Sequence, residues 1–379
     1  MAATPCSPWR FRGWRRPWPR PSASEPPEPS LAETERLAGL AETHGTLSWA
    51  TGYIDHTAVA AAVTGHGDSG TGRLIRALAD IYEGELPEVS EACARDLDSI
   101  IAGAPRSVIG AVELDAKTGR AHSRWVTEIA DHGLITTLQR LRGHIPAAVD
   151  GGVAHLGIGL DMAELVPVLQ ALVERFRAAE WECPELRELQ EQTDPQQLAG
   201  LGMFTAMLAD VRGMNATLLE VPGGEGMPPA VVDVATGRPQ SLWQVAQGFL
   251  GATSQPEMGG GPVPLAHPML PDGALRVALR EGRFTILAGE GTSLPEVTDA
   301  DLSPNGVLSL RYNLAELGEG LPDESAALAA GAGEGMPDAE ELEEIREQLR
   351  AVNVDQTIDL DIGEHGIRLD VTATPGSER

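Results

Sequence analysis

Residues 356 to 374, QTIDLDIGEHGIRLDVTAT, alternate apolar and polar side chains on both sides of a Gly-Glu-His-Gly turn. Ile358, Leu360 and Ile362 share one side of an extended chain, as do Ile367, Leu369 and Val371 after the turn. Successive strand residues point to opposite faces, so a segment like this expects one face buried and the other wet. The pattern selects antiparallel hairpins and disfavours a parallel core, whose strands are apolar on both faces. It recurs in RSVIGAVELDAKTGRAHSRWVTEI around DAKTG and in GALRVALREGRFTILAG around Glu281 and Gly282. GMNATLLEVPGGEGMPPAVVDVATG reads as a looser pair with a glycine- and proline-rich loop.

Between the hairpins, short strand-like runs pass directly into helical ones. TLSWATGYID leads into HTAVAAAV, VAHLGIGLD into MAELVPVLQALVERF, and GVLSLRYN into LAELGEGL. Asp55, Asp161 and Asn313 fall where an N-cap belongs, with side-chain oxygens placed to accept from first-turn amides. Glu164 and Glu316 stand three residues on, as in a capping box. Capping explains these polar residues without invoking catalysis. Further helices are expected near 131–142, 162–180, 185–209, 240–250 and 338–350, the last with Leu342, Ile345 and Leu349 as its apolar stripe. The fold class that follows is α+β: an extended, mainly antiparallel sheet made of tandem β-hairpin/helix units, with helices packed on one face. Residues 41–200 and 205–375 form two such units, and the second carries long loops at 251–273 and 318–338.

Residues 1–40 differ from the remainder. Five arginines, three of the seven tryptophans and many prolines crowd the first 20 positions, a composition that supports neither helix nor strand and reads as a disordered tail. Arg15 and Arg16 lack the apolar run that an export signal requires, and a misassigned start is one way such a signal would be lost. No apolar stretch is long enough for a transmembrane helix. With 56 acidic against 28 basic residues, and Lys117 as the single lysine, a net charge of -28 repels phosphate backbones and argues against a nucleic-acid partner.

Three cysteines remain to be placed. Cys6 lies in the tail; Cys93 and Cys183 sit in helical segments flanked by charge, with no zinc-type spacing. Two readings stay open: a Cys93–Cys183 disulfide in an oxidising compartment, or two unrelated thiols in the cytosol. The order of units, with LGIGLDMAELVPVLQALVERF followed by ECPEL, resembles uncharacterised envelope proteins of Gram-negative bacteria. That resemblance spans about residues 40 to 375 and implies an exported protein of repeated strand–helix units, with cysteines placed like Cys93 and Cys183. The expected lipid-attachment cysteine is not matched, because Cys6 has no apolar run before it.

GHGDSGTGR, residues 65–73, is the stretch closest to a catalytic motif. Gly67-Asp68-Ser69-Gly70 matches a serine-protease nucleophile, yet too little chain precedes it to supply the histidine and aspartate that come first in that family. A phosphate loop fails because Thr71 stands where lysine is required. The stretch reads as a loop between helices. The nine histidines show no ligand spacing, so no metal or other cofactor is expected. The functional expectation is a non-enzymatic envelope protein, periplasmic or secreted, that binds an unknown protein or small ligand. The alternatives are a hydrolase-like enzyme with a site assembled from distant acidic and histidine residues, and a cytosolic scaffold.

Overall fold

The structure is a computed structural model, and it describes residues 35–64, 89–194, 198–221, 227–250, 253–265, 273–295, 302–319 and 339–376. Residues 1–34 of the tail, the GHGDSGTGR stretch and most of 318–338 lie outside the described residues, whereas residues 36–40, expected in the disordered tail, belong to a helix over Arg36–His44 whose Leu40 is buried. Twelve strands form one sheet: β1 Thr51–Asp55, β2 Arg106–Asp115, β3 Arg120–Glu128, β4 Ala154–Ile158, β5 Val211–Leu218, β6 Ala230–Thr236, β7 Val263–Pro264, β8 Leu275–Arg280, β9 Arg283–Ala288, β10 Leu308–Asn313, β11 Val354–Ile362 and β12 Gly366–Pro375. The helices are α1 Arg36–His44, α2 His56–Val63, α3 Glu91–Ala102, α4 His132–Gln139, α5 Met162–Ala178, α6 Pro184–Gln192, α7 Leu198–Met207, α8 Pro239–Leu250, α9 Leu314–Glu319 and α10 Ala339–Ala351. The expected helix over 185–209 is broken in two, and the expected loop at 251–273 contains β7.

The strand order is β1-β2-β3-β12-β11-β10-β4-β5-β6-β9-β8-β7, with every neighbouring pair antiparallel. The sheet therefore does not divide near residue 200, since β12-β11-β10 lie between β3 and β4. Chain segments distant in sequence share one set of ladder hydrogen bonds, and a cut there would expose strand edges rather than separate two cores. Four three-strand units are visible in chain order, β1-β2-β3, β4-β5-β6, β7-β8-β9 and β10-β11-β12. In three of them a capped helix follows the first strand. Asp55 accepts from the Ala58 amide at 3.1 Å, Asp161 from Ala163 at 3.0 Å, and Asn313 from Ala315 and Glu316 at 2.9 and 3.1 Å. Glu164 pairs with Arg140. The DAKTG turn is held by Asp115, which accepts from the Lys117 amide at 2.8 Å and the Thr118 hydroxyl at 2.9 Å.

The registers give each face of the sheet a distinct character. One row of paired residues runs Ile109, Trp125, Leu369, Leu360, Leu308, Ile158, Met214, Val234, Phe284, Leu279 across ten strands. The adjacent row, one residue along, points to the opposite face and runs Gly110, Arg124, Asp370, Asp359, Ser309, Gly157, Asn215, Asp233, Thr285. The first face is apolar along this row, and the second mixes polar residues with the buried Val108, Val126, Val231 and Leu287. On the apolar face, α8 covers the β8–β9 end: Trp243 stacks on Phe284 at 6.1 Å and packs with Leu265, Val277 and Leu279, all buried. Each large side chain withdrawn from water there stabilises by roughly 1.5–3 kcal/mol.

On the polar face, α1 lies over β1 and β2, with the Arg36 guanidinium 4.5 Å above the Tyr53 ring. The helices therefore do not all share one face, as the alternation alone suggests. The polar rows supply α1 with charged and aromatic partners (Tyr53, Arg124 and Glu128), so its own polar residues dock there without stranding a charge.

Candidate binding surface

The unusual feature is which face is covered. Asn215, Thr217, Asp233 and Thr285 on the polar face are buried, whereas Ile54, Ile109, Trp125, Leu156 and Ile367 on the apolar face are exposed. Ile109 pairs with Trp125, and Trp125 with Leu369, so this exposure falls inside the sheet and not only along its edge. Trp125 is 42% exposed in the third strand from the β1 edge. A solvated tryptophan flanked by Ile109 and Leu369, with Ile367 one row away, forms an apolar patch; Ile54 is set apart from it by Thr127 and the buried Ser107, whose hydroxyl lies 3.0 Å from His56 Nε2. Patches of this kind on folded proteins mark interaction surfaces.

Many of the opposite face's buried polar groups satisfy one another or the backbone. Residues 143–149 cross β4 and β5 there, and Asn215 Nδ2 donates to the Pro146 carbonyl at 2.9 Å. Two glycines permit this approach: a Cβ on Gly157 would meet Ile145 Cγ2 at 2.3 Å, and one on Gly213 would meet the His144 carbonyl oxygen at 2.2 Å. Beside this crossing lies a concavity of about 400 Å³ lined by His155, Ser309, Asp359, Asp361, Arg368 and Asp370. Ionisable groups do converge there, but most are committed. Arg142 donates to both Asp361 oxygens at 2.7 and 2.9 Å. Arg124 Nε donates to Asp370 at 2.7 Å, His122 Nε2 lies 3.0 Å from the same carboxylate, and Arg368 Nε is 3.0 Å from its other oxygen. Ser309 donates to Asp359 at 2.7 Å, and among the described residues no histidine nitrogen bonds to that hydroxyl.

The proton equilibria follow from this pairing. Burial pushes the Asp370 carboxyl up, but hydrogen bonds from Arg124 and His122 and the neighbouring guanidinium charges outweigh it and hold the group below its ordinary range. Glu128 behaves likewise: burial raises it, while Arg106 at 2.6 Å and His44 at 2.9 Å bring it lower overall. Burial holds the His155 imidazole below its ordinary value, favouring the neutral ring. Catalytic carboxylates are pushed apart so that one is acid and one base; here they are held ionised by arginines, which is the behaviour of structural ion pairs.

Cys93 and Cys183 meet at disulfide distance, 2.09 Å between sulfurs. Cys93 lies in α3, while Cys183 is the residue before α6 rather than part of a helix. Asp96, one turn along α3, accepts from the amides of Glu182 and Cys183 at 2.8 and 2.6 Å, so α3 fixes the start of α6 by backbone contacts as well. Glu185 Oε2 lies 3.1 Å from both sulfurs, and this trio is the one group among the described residues with metal-ligand proximity. A metal held by this trio would need both sulfurs as thiolates, which sulfurs at disulfide distance do not offer. Asp55, Asp161 and Asn313 act as helix caps, and His66 and Ser69 lie outside the described residues.

Comparison with protein-family models, with curated proteins and with solved structures found no match. Among the described residues no helix is long and apolar enough to cross a membrane. The patch residues Ile109, Trp125 and Ile367 are visible in sequence as alternating apolar positions. Nothing local distinguishes them from core positions, because their exposure depends on where the helices land.

Proposed function

We propose that the protein is a non-enzymatic partner-binding protein of a bacterial envelope, periplasmic or secreted, and that an apolar polypeptide segment docks on the exposed apolar residues Ile109, Trp125 and Ile367 of β2, β3 and β12. The observation that carries this reading is the solvated Trp125, set among paired apolar neighbours inside the sheet. A flat apolar surface backed by a rigid sheet orders few groups on binding, which keeps the entropic cost of docking low. The net charge of -28 favours partners that carry cations around their apolar residues. Disulfide distance between Cys93 and Cys183 supports an oxidising compartment and removes the separation that would favour a cytosolic scaffold.

Titration with a short synthetic peptide alternating valine and lysine tests the reading. Binding should saturate for the native chain and fall at least tenfold for Trp125→Asp. That substitution adds a negative charge, so attraction by charge alone would tighten binding; unchanged or stronger binding by the variant refutes the apolar site. The hydrolase-like alternative is favoured by the His155, Ser309 and Asp359 lining of the polar concavity. It calls for hydrolysis of activated esters that Asp359→Asn abolishes.

A further inference from the structure

We propose that the outer edge of β1 pairs antiparallel with β1 of a second copy, extending the sheet across a twofold axis. The inference concerns the strand edge; Gly52 and Ile54 lie on the same face as the docking residues, so protection of the β1 amides is the readout that separates the two.

The unit repeat carries it. Wherever two three-strand units meet, like strands pair: the third strands β3 and β12, the first strands β10 and β4, and the third strands β6 and β9. First and third contacts alternate across the sheet, and the strands left at its two edges, β1 and β7, are both first strands. The next contact in this alternation joins first strand to first strand, as in the β10–β4 pair where Leu310 opposes Leu156. A second copy supplies that strand as β1, and its own β1 receives the first in return, which closes the contact as an isologous pair.

The two edges are not equivalent. β7 is two residues long and contains Pro264, a device that blunts an edge by removing a donor. β1 has five residues, Thr-Gly-Tyr-Ile-Asp, with neither proline nor lysine, and among the described residues it pairs with β2 alone. A Cβ on Gly52 would meet nothing within 4 Å, Ile54 is 39% exposed, and Trp49, just before the strand, is 74% exposed. Among the described residues nothing pairs with this edge, which Ile54 and Trp49 border, and a second copy covers both the ladder and these side chains. The opposing term is charge. Two copies at -28 repel, so pairing strengthens as salt screens that repulsion.

Sedimentation of the full chain over a concentration series, at physiological and at high salt, tests this. The expected result is a species of twice 40.0 kDa whose share rises with both concentration and salt. Gly52→Glu and Ile54→Lys, each placing like charges near the axis, should return the mass to 40.0 kDa with an unchanged far-ultraviolet circular dichroism spectrum. Hydrogen exchange of the native chain gives a readout that needs no variant: β1 amides pointing away from β2 should gain protection as the dimer forms. A native chain that stays at 40.0 kDa throughout overturns the proposal. So does a dimer that both folded variants retain, or one that leaves the β1 amides unprotected.

Discussion

Replacing both Cys93 and Cys183 with alanine removes the covalent tie between α3 and the start of α6. The bridge closes a loop with a sequence separation of 90, and a chain-entropy treatment of a loop that size gives about 4.5 kcal/mol, nearly all of it from restriction of the unfolded chain. The folded side changes little. Asp96 still accepts from the Glu182 and Cys183-position amides, and Arg95 still pairs with Glu182 at 2.5 Å on the surface. Folded domains are stable by about 5–15 kcal/mol, so the loss is a large fraction of the whole. Guanidinium unfolding should show a midpoint lower by roughly 1 M for the double variant, and a similar drop for the native chain under reductant. The supporting chemical measurement is thiol titration of the unreduced, unfolded chain. One free thiol, Cys6, is expected of the three cysteines. Three thiols, or a midpoint indifferent to reductant, would refute the bridge and with it the support for an oxidising compartment.

Two further outcomes follow from the polar face. Arg142→Leu leaves the mostly buried Asp361 with a lone guanidinium contact, Arg368 at 3.5 Å, and should cost about 2–4 kcal/mol in denaturant titrations; Arg142→Leu combined with Asp361→Leu should recover most of that loss, and a double variant as unstable as the single one would contradict the pairing. Stability should also fall with acid in two stages, read as melting temperature against pH. His155 is held below its ordinary value when folded, so the unfolded chain takes up its proton first and stability declines from about pH 6.5 downward. The Asp370 and Glu128 carboxyls, also low when folded, contribute fully above about pH 4 and lose that contribution as pH falls through their folded values. His155→Gln should flatten the upper stage and leave the lower; an unaltered upper slope would show that another group sets it.

The alternation in Ile358, Leu360, Ile362 and Ile367, Leu369, Val371 determined a paired antiparallel hairpin, because register and face are set by a two-residue period within a few bonds of the turn. Asp55, Asp161 and Asn313 likewise determined helix starts, since a cap is satisfied by amides two or three residues away. The charge of -28, the lone lysine and the tail composition are properties of the chain at any conformation. Tertiary structure decided the rest: that β12-β11-β10 enter between β3 and β4, that Cys93 meets Cys183, and that Arg142 finds Asp361. It also decided that α8 shields Phe284 while Trp125, in the same apolar row, stays wet. Those outcomes depend on contacts between residues tens to hundreds of positions apart, whose formation is governed by the packing of whole elements and leaves no periodic trace in the local sequence.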